Sequence, residues 1–180
     1  MGSDKALLNI RGTSMARLLA TRLRELTDEV LLSANDPLTY NFLGLPTVPD
    51  LYPGCGPMAG LHAAMLRTNR PWILLLACDL PRVSTEMLNN IILRAPGFDA
   101  VIPATSDGRL HPVCAIYSRT CLPAIERGLR ASDNRLIRLL EEPGLQIRQL
   151  TAAEGDFSDS DLLDLDTRED LEEFLRLSKF

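Results

Sequence analysis

The chain has 180 residues, of which 46% are apolar and 24% charged, the balance of an ordinary soluble globular domain. Its net charge of −5 argues against a nucleic-acid or anionic-membrane surface. No apolar run approaches the roughly 20 residues that span a bilayer, and the opening residues carry no signal-peptide pattern.

In chain order, strand-like and helix-like segments alternate. Ser14 to Leu26 carries Met15, Leu18, Leu19, Leu23 and Leu26 at helical spacing. Glu29 to Ser33 reads as a strand, and Pro46 to Val48 as a short one that leads to Asp50. Pro53-Gly-Cys-Gly56-Pro57-Met-Ala59-Gly60 is a small-residue loop that runs into a helix over Met58 to Leu66. Its glycines would let a ligand approach the backbone, and the first helical turn offers amides to an anion. A plain tight turn before a helix explains the same residues. No Gly-Lys-Ser/Thr follows, so it is not a Walker A loop.

Trp72-Ile-Leu-Leu-Leu-Ala-Cys-Asp79-Leu-Pro81 is the most informative stretch. An unbroken apolar run predicts a central strand buried on both faces, with Pro81 closing it. Asp79 then stands at the carboxyl end of that strand, where open α/β sheets bind ligands. A divalent cation and a capping role account for this aspartate about equally on the residues alone. Cys78, on the opposite face, reads as core. Thr85 to Leu93 is predicted as a helix capped by Ser84, Asp99 to Pro103 and Val113 to Tyr117 as strands, and Leu122 to Leu129 and Asn134 to Leu140 as helices. Leu145 to Leu150 reads as an edge strand, Leu162 to Leu165 as a short strand and Glu169 to Leu175 as a closing helix, with Asp166 and Glu169 spaced as a capping box. Alternation of this kind predicts one α/β domain with a mostly parallel sheet covered on both faces. The cysteines at 55, 78, 114 and 121 form no metal or CxxC spacing and read as free thiols of a reducing cytoplasm. His62 reads as a helix-surface residue, and two distant histidines make no zinc site.

The pieces, in this order, resemble molybdenum cofactor guanylyltransferases: Asp4-Lys-Ala-Leu-Leu8, Ser33-Ala-Asn35, Asp50 with Gly56-Pro-Met-Ala-Gly60-Leu, Ala77-Cys-Asp-Leu-Pro81, Gly108-Arg-Leu-His-Pro112 and Asp164-Leu-Asp-Thr-Arg-Glu-Asp-Leu171. The resemblance covers essentially the whole chain. It implies a Rossmann-like three-layer α/β/α nucleotidyltransferase, a single domain over 1–180, that joins GMP from GTP to the terminal phosphate of molybdopterin or Mo-molybdopterin with Mg²⁺ and releases pyrophosphate. By that resemblance Lys5 contacts phosphate, Asn35 and Asp50 hold the guanosine, Gly60 lines the nucleotide pocket and Asp79 carries the Mg²⁺. Lys5 and Asp79 are then the catalytic pair. Arg109, His111, Pro112, Asp164 and Asp166 line the molybdopterin side. Partners implied are other molybdenum cofactor biosynthesis or acceptor proteins, with no nucleic acid and no membrane.

Two departures shape the expectation. The family opens on a strand and a glycine-rich loop, and here only its last positions, Met1 to Lys5, are present, so the slot between the Glu29 and Trp72 strands is expected to be empty or refilled and GTP binding weak. Aspartates at 164 and 166 also occur in relatives that use CTP. A cytidylyltransferase, a sugar-phosphate nucleotidyltransferase and a non-catalytic binding module are the competing readings.

Overall fold

A computed structural model describes residues 4–36, 38–165 and 167–177. Met1 to Ser3 and Asp166, both named above, lie outside the described residues. The chain begins with a 3-10 turn at Lys5–Leu7. A hairpin that the sequence did not suggest follows, with β1 (Asn9–Ile10) pairing antiparallel with β2 (Thr13–Ser14). Arg11 and Gly12 take the left-handed backbone there, at φ 51° and 91°, and the Asn9 side chain accepts from the Gly12 amide at 2.8 Å. Two successive positive φ values are what a two-residue hairpin turn demands. Helix α1 (Met15–Arg24) starts at Ser14, whose hydroxyl caps the Arg17 amide.

The main sheet has four strands, β5 (Trp72–Leu76), β6 (Ala100–Ala104), β7 (Cys114–Ser118) and β8 (Ile147–Thr151), in the order β5-β7-β6-β8. Strand β7 runs antiparallel to both β5 and β6, while β6 and β8 are parallel. Three of the strands therefore share one direction, but β7 sits between them inverted, and the pairing is mixed where a mostly parallel sheet was expected. The nine residues between Ala104 and Cys114 are too few for a crossover helix, so the chain turns back on itself.

Helices cover both faces. On one face, α2 (Gly56–Arg67) and α4 (Leu122–Arg130) pack Met58, Leu61, Met65 and Ile125 against Ala100, Ile102, Ala115 and Tyr117. On the other, α3 (Thr85–Leu93), capped by Ser84 as predicted, packs Met87, Leu88 and Ile91 against Val101, Cys114, Ile116 and Leu150. This is the expected three-layer α/β/α sandwich. Its alternating strand residues divide between the layers because successive side chains point to opposite faces. After β8 come the short α5 (Ala152–Gly155) and then α6 (Arg168–Leu177), whose Phe174 packs against Ile10, Met15 and Leu19. Leu162–Leu165 is not a strand. A 3-10 turn at Asp159–Leu162 leads into it, and its backbone pairs with the Asp79 turn instead.

Two short strands stand apart from the main sheet. β3 (Leu32–Ser33) and β4 (Thr47–Val48) pair parallel with each other. Neither hydrogen-bonds to β5, which is an edge strand among the described residues rather than the central one expected. Between β3 and β5 lies a cavity of about 360 Å³, lined by Leu26, Leu31, Leu32, Ala64, Trp72 and Leu74 among others. Both walls turn toward it ladder groups that have no backbone partner among the described residues. Ala77 N donates to Val113 and Arg119 N to Pro71. By antiparallel alternation, residues 73 and 75 also face β7, and the backbone groups of Trp72, Leu74 and Leu76 face the cavity. On the opposite wall, Leu32 and Ala34 donate to β4, which turns Leu31 and Ser33 toward the cavity. All five residues of β5 are only partly buried for this reason.

Candidate active site

Several residues of the site lie just past the carboxyl end of a strand, the edge where open α/β sheets bind ligands. Asn35 follows β3, Asp50 follows β4, Asp79 follows β5, and the Thr105–Pro112 turn follows β6.

Asp79 occupies a tight turn pinned at both ends. Its carbonyl accepts from the Leu165 amide at 2.9 Å, and the Pro81 carbonyl accepts from the Arg22 guanidinium of α1 at 2.7 Å. Burial holds the Arg22 guanidinium below its ordinary pKa. The Asp79 carboxylate lies 3.5 Å from the Lys5 ammonium, and both side chains are about 30% exposed (29% and 31%). Asp4 caps the opening turn by accepting from the Ala6 amide at 3.0 Å, and its other oxygen takes the Tyr40 hydroxyl. Burial first and Asp4 second push the Tyr40 phenol up. Cys78 is partly buried, packed beside Ala6, Ala16 and Leu43, and burial pushes its thiol up to about 11.

A second cluster joins β3, β4 and α2. Asp50 Oδ1 accepts from Ser33 Oγ at 2.9 Å, and Oδ2 accepts from Asn35 Nδ2 at 3.4 Å. The Asp50 amide donates in return to Asn35 Oδ1 at 3.1 Å. Gly60 faces this group: a Cβ there would stand 2.7 Å from Ser33 Oγ. Gly56 takes the left-handed backbone at φ 63° to begin α2, and Cys55 at the N-cap makes no side-chain hydrogen bond to the helix. Ser33 and Cys78 both line the cavity between β3 and β5, so its carboxyl end opens between the two clusters.

The third group lies across the Asp79 turn. Arg109 and Asp164 form an ion pair at 3.3 Å. Ser106 donates its amide to Asp159 at 2.9 Å, tying the Thr105–Arg109 turn to the segment before Asp164. The Pro112 carbonyl accepts the buried Tyr117 hydroxyl at 2.7 Å. His111 is 6% exposed, and its Nε2 has no hydrogen-bond partner among the described residues. The expected Asp166 cap lies outside the described residues, and a reciprocal pair stands at the start of α6. Thr167 and Asp170 form the reciprocal pair, with Thr167 N donating to Asp170 at 2.7 Å and Asp170 N to Thr167 Oγ1 at 3.1 Å. His62, expected on the surface, is 3% exposed, edge-on to Tyr52 and 3.7 Å from Glu126. The helix around it, Gly56–Arg67, is apolar on nearly every side, which is the signature of a buried helix and the signal that identifies His62 as interior. Tyr40 was not singled out from the sequence, since a lone hydroxyl carries no spacing signal, and Ser33 stood there only within the Ser33-Ala-Asn35 motif, with no role assigned.

His111 gives a pH prediction. Burial, and then the neighbouring Arg109, hold its pKa below the ordinary 6.5, against the opposing pull of Asp164, Asp107 and Asp159. A depressed histidine stabilises the fold above its unfolded pKa and loses that contribution as pH falls through the folded value. The melting temperature of His111→Gln is therefore expected to fall less than that of the parent between pH 7.5 and pH 5.5. Parallel melting curves across that range would contradict it.

Residues 1–149 match the MobA-like NTP transferase domain. The chain belongs to this family. Within it, the chain is 36% identical over 137 residues to a protein of Pelotomaculum thermopropionicum, a match covering 76% of this chain and 66% of that protein. It is 29% identical over 178 residues to one of Carboxydothermus hydrogenoformans, covering 98% of this chain and 89% of the other. Both are named "Probable molybdenum cofactor guanylyltransferase". The first match thus spans just under two thirds of that relative's length. The fold is that of the molybdopterin-guanine dinucleotide biosynthesis protein A of Archaeoglobus fulgidus, with a TM-score of 0.81 at 20% identity, over 98% of this chain and 91% of that one. A MobA-like NTP transferase is a nucleotidyltransferase. Among the described residues no group of three metal-ligating side chains occurs, and no helix is long and apolar enough to cross a membrane.

Proposed function

We propose that this chain transfers GMP from GTP to the terminal phosphate of molybdopterin and releases pyrophosphate, working in the cytoplasm. The observation that carries the proposal is the Lys5–Asp79 pair at the end of β5, flanked by the Asn35–Asp50 cluster and by the Arg109–Asp164 pair. Names of the relatives support GTP and molybdopterin as the two substrates.

Asp79 fits a Mg²⁺ ion in kind. It is a hard oxygen donor, partly exposed, and among the described residues no neighbouring cluster forms a closed protein cage. Mg²⁺ commonly takes one or two carboxylates and completes its shell with substrate phosphates and water. Bound there, it would neutralise phosphate charge at the reacting centre. The protein's own part is positioning and electrostatics, which phosphoryl transfer chiefly requires. Lys5 would screen the leaving pyrophosphate. Asp50 and Asn35 would orient the nucleoside, with Gly60 leaving room for the approach. Arg109, held by Asp164, would meet the anionic end of the second substrate, with His111 and Pro112 beside it. A phosphate nucleophile is already ionised at neutral pH, so no general base is needed, and the site offers no imidazole at Asp79.

The test is equilibrium binding of GTP, CTP, ATP and UTP with Mg²⁺. GTP should bind tightest. Preference for CTP would favour the cytidylyltransferase reading that Asp164 and Asp166 suggest, and binding of none would favour a non-catalytic module.

A further inference from the structure

We propose that Ser33 is a positioning residue for nucleoside recognition, its hydroxyl locking the Asp50 carboxylate through a contact that only glycine at position 60 permits. This rests on the nucleotide site proposed above and goes beyond it by naming what sets the geometry of Asp50. Three separate elements meet here. Ser33 ends β3, Asp50 lies just past β4, and Gly60 is in the second turn of α2. Ser33 Oγ reaches Asp50 Oδ1 at 2.9 Å, whereas the Asn35 amide reaches Oδ2 only at 3.4 Å. Ser33 therefore supplies the shorter of the two side-chain bonds that fix the carboxylate plane.

Gly60 is what leaves the hydroxyl in place. A Cβ at that position would lie 2.7 Å from Ser33 Oγ and 3.1 Å from Ser33 Cβ, with Asp50 Oδ1 at 3.9 Å. The first distance is below van der Waals contact, so a methyl group at position 60 would drive the hydroxyl off Asp50. The close approach of α2 to β3 thus has a consequence for ligand geometry as well as for packing.

The locked carboxylate has a definite preference. An ionised carboxylate offers about two acceptor directions on each oxygen. Ser33 takes one on Oδ1 and Asn35 one on Oδ2, which leaves one on each oxygen without a donor among the described residues. That pattern suits a pair of adjacent donors. Guanosine has two such pairs, the N1–H with the exocyclic amine of the base, and the 2′,3′-diol of the ribose. Cytosine and adenine bases lack adjacent donors on that edge. Left unlocked, the carboxylate would have to be immobilised at the moment of binding, which weakens binding about threefold to tenfold for one rotor.

The experiment measures dissociation constants of GTP, inosine triphosphate and 2′-deoxy-GTP by calorimetry, with melting curves, on the parent, Ser33→Ala, Gly60→Ala and Asp50→Asn. Ser33→Ala is expected to weaken GTP about threefold to tenfold while its melting temperature stays near that of the parent, since Ser33 is exposed. Gly60→Ala should give the same loss with Ser33 still present. Adding Ser33→Ala to Asp50→Asn should cost nothing further. If the base is the ligand of Asp50, inosine triphosphate, which lacks the amine, should be insensitive to Ser33→Ala. If the ribose is, 2′-deoxy-GTP should be the insensitive one. Parent-like GTP affinity in both Ser33→Ala and Gly60→Ala would overturn the proposal. So would an equal loss for all three nucleotides accompanied by a fall in melting temperature, which would mark a structural role. A parent protein that binds no GTP would instead overturn the nucleotide site on which it rests.

Discussion

Replacing Asp79 with alanine is expected to reduce metal-dependent guanylyl transfer by on the order of a thousandfold, with the fold intact. The size follows from the role proposed for Asp79 as a metal ligand, which would stabilise charge at the transition state by several kcal/mol. The separation from stability follows from exposure. The Lys5–Asp79 pair is partly in solvent, with both side chains near 30% exposed (31% and 29%), and such pairs contribute about 0–1 kcal/mol. For a chain of this size that is a shift of about 2–4 °C at most. The turn itself is held through backbone carbonyls, by Leu165 and Arg22, which the substitution leaves alone. A transfer assay run beside a melting curve checks both halves. Loss of turnover together with a large drop in melting temperature would mean that Asp79 is a structural residue.

The second large effect concerns the cavity between β3 and β5. Joining an extended, strand-forming apolar segment with a glycine-rich turn ahead of Asp4 is expected to raise the melting temperature by roughly 5–10 °C, a net gain of a few kcal/mol. The walls define the guest. Leu74 and Trp72 pack toward the α3 side and Ile73 and Leu75 toward the α2 side, so a strand between them meets apolar groups on both faces. Its backbone would pair with the free groups of Trp72, Leu74 and Leu76 on one side and of Leu31 and Ser33 on the other. Unpaired strand edges of this kind otherwise invite association between chains. The cavity's carboxyl end opens between Ser33 and Cys78, so a glycine turn leaving the new strand would emerge beside Lys5, Asp79 and Asp50, and GTP affinity should tighten as well. Trp72, the single tryptophan, reports directly, since its fluorescence should shift to the blue as the cavity fills. A version of the segment with proline at its centre cannot complete the ladder and should give little of the gain. Equal stabilisation by both segments would show that the cavity takes up apolar groups without strand pairing.

Local chemistry was legible where a residue acts on its neighbours. Ser84 caps a helix that runs over Thr85–Leu93 as read, and Asp79 stands just past a strand. Long-range pairing was less so. The direction of β7 depends on a connection too short for a crossover, a signal present in the spacing but outweighed by the apolar alternation. The apolar run of β5 reads as central because its side chains are apolar on both faces, yet its ladder partner on one side is a cavity. Apolarity reports the two faces of a strand and says nothing of its edges. Similarly, Leu162–Leu165 has strand composition but spends its backbone on the Asp79 turn.

For the site, residues that the resemblance grouped together also lie together in the structure. Asn35 with Asp50, Lys5 with Asp79 and Arg109 with Asp164 each meet across long sequence separations. What stayed hidden was the layer that orients them. Ser33 holds Asp50, Tyr40 holds Asp4, and Arg22 holds the Asp79 turn. A hydroxyl or guanidinium acting on a partner far along the chain leaves no periodicity, and only the packing of β3, α1 and α2 reveals it.

The most direct measurement follows the label from GTP marked at its α-phosphate, incubated with molybdopterin, Mg²⁺ and the protein. The proposed function predicts that the label appears in a molybdopterin–GMP product, that unlabelled pyrophosphate is released in equal amount, and that both fall by about a thousandfold with Asp79→Ala. Transfer that persists undiminished in Asp79→Ala, or pyrophosphate release from GTP with no label on molybdopterin, would contradict it.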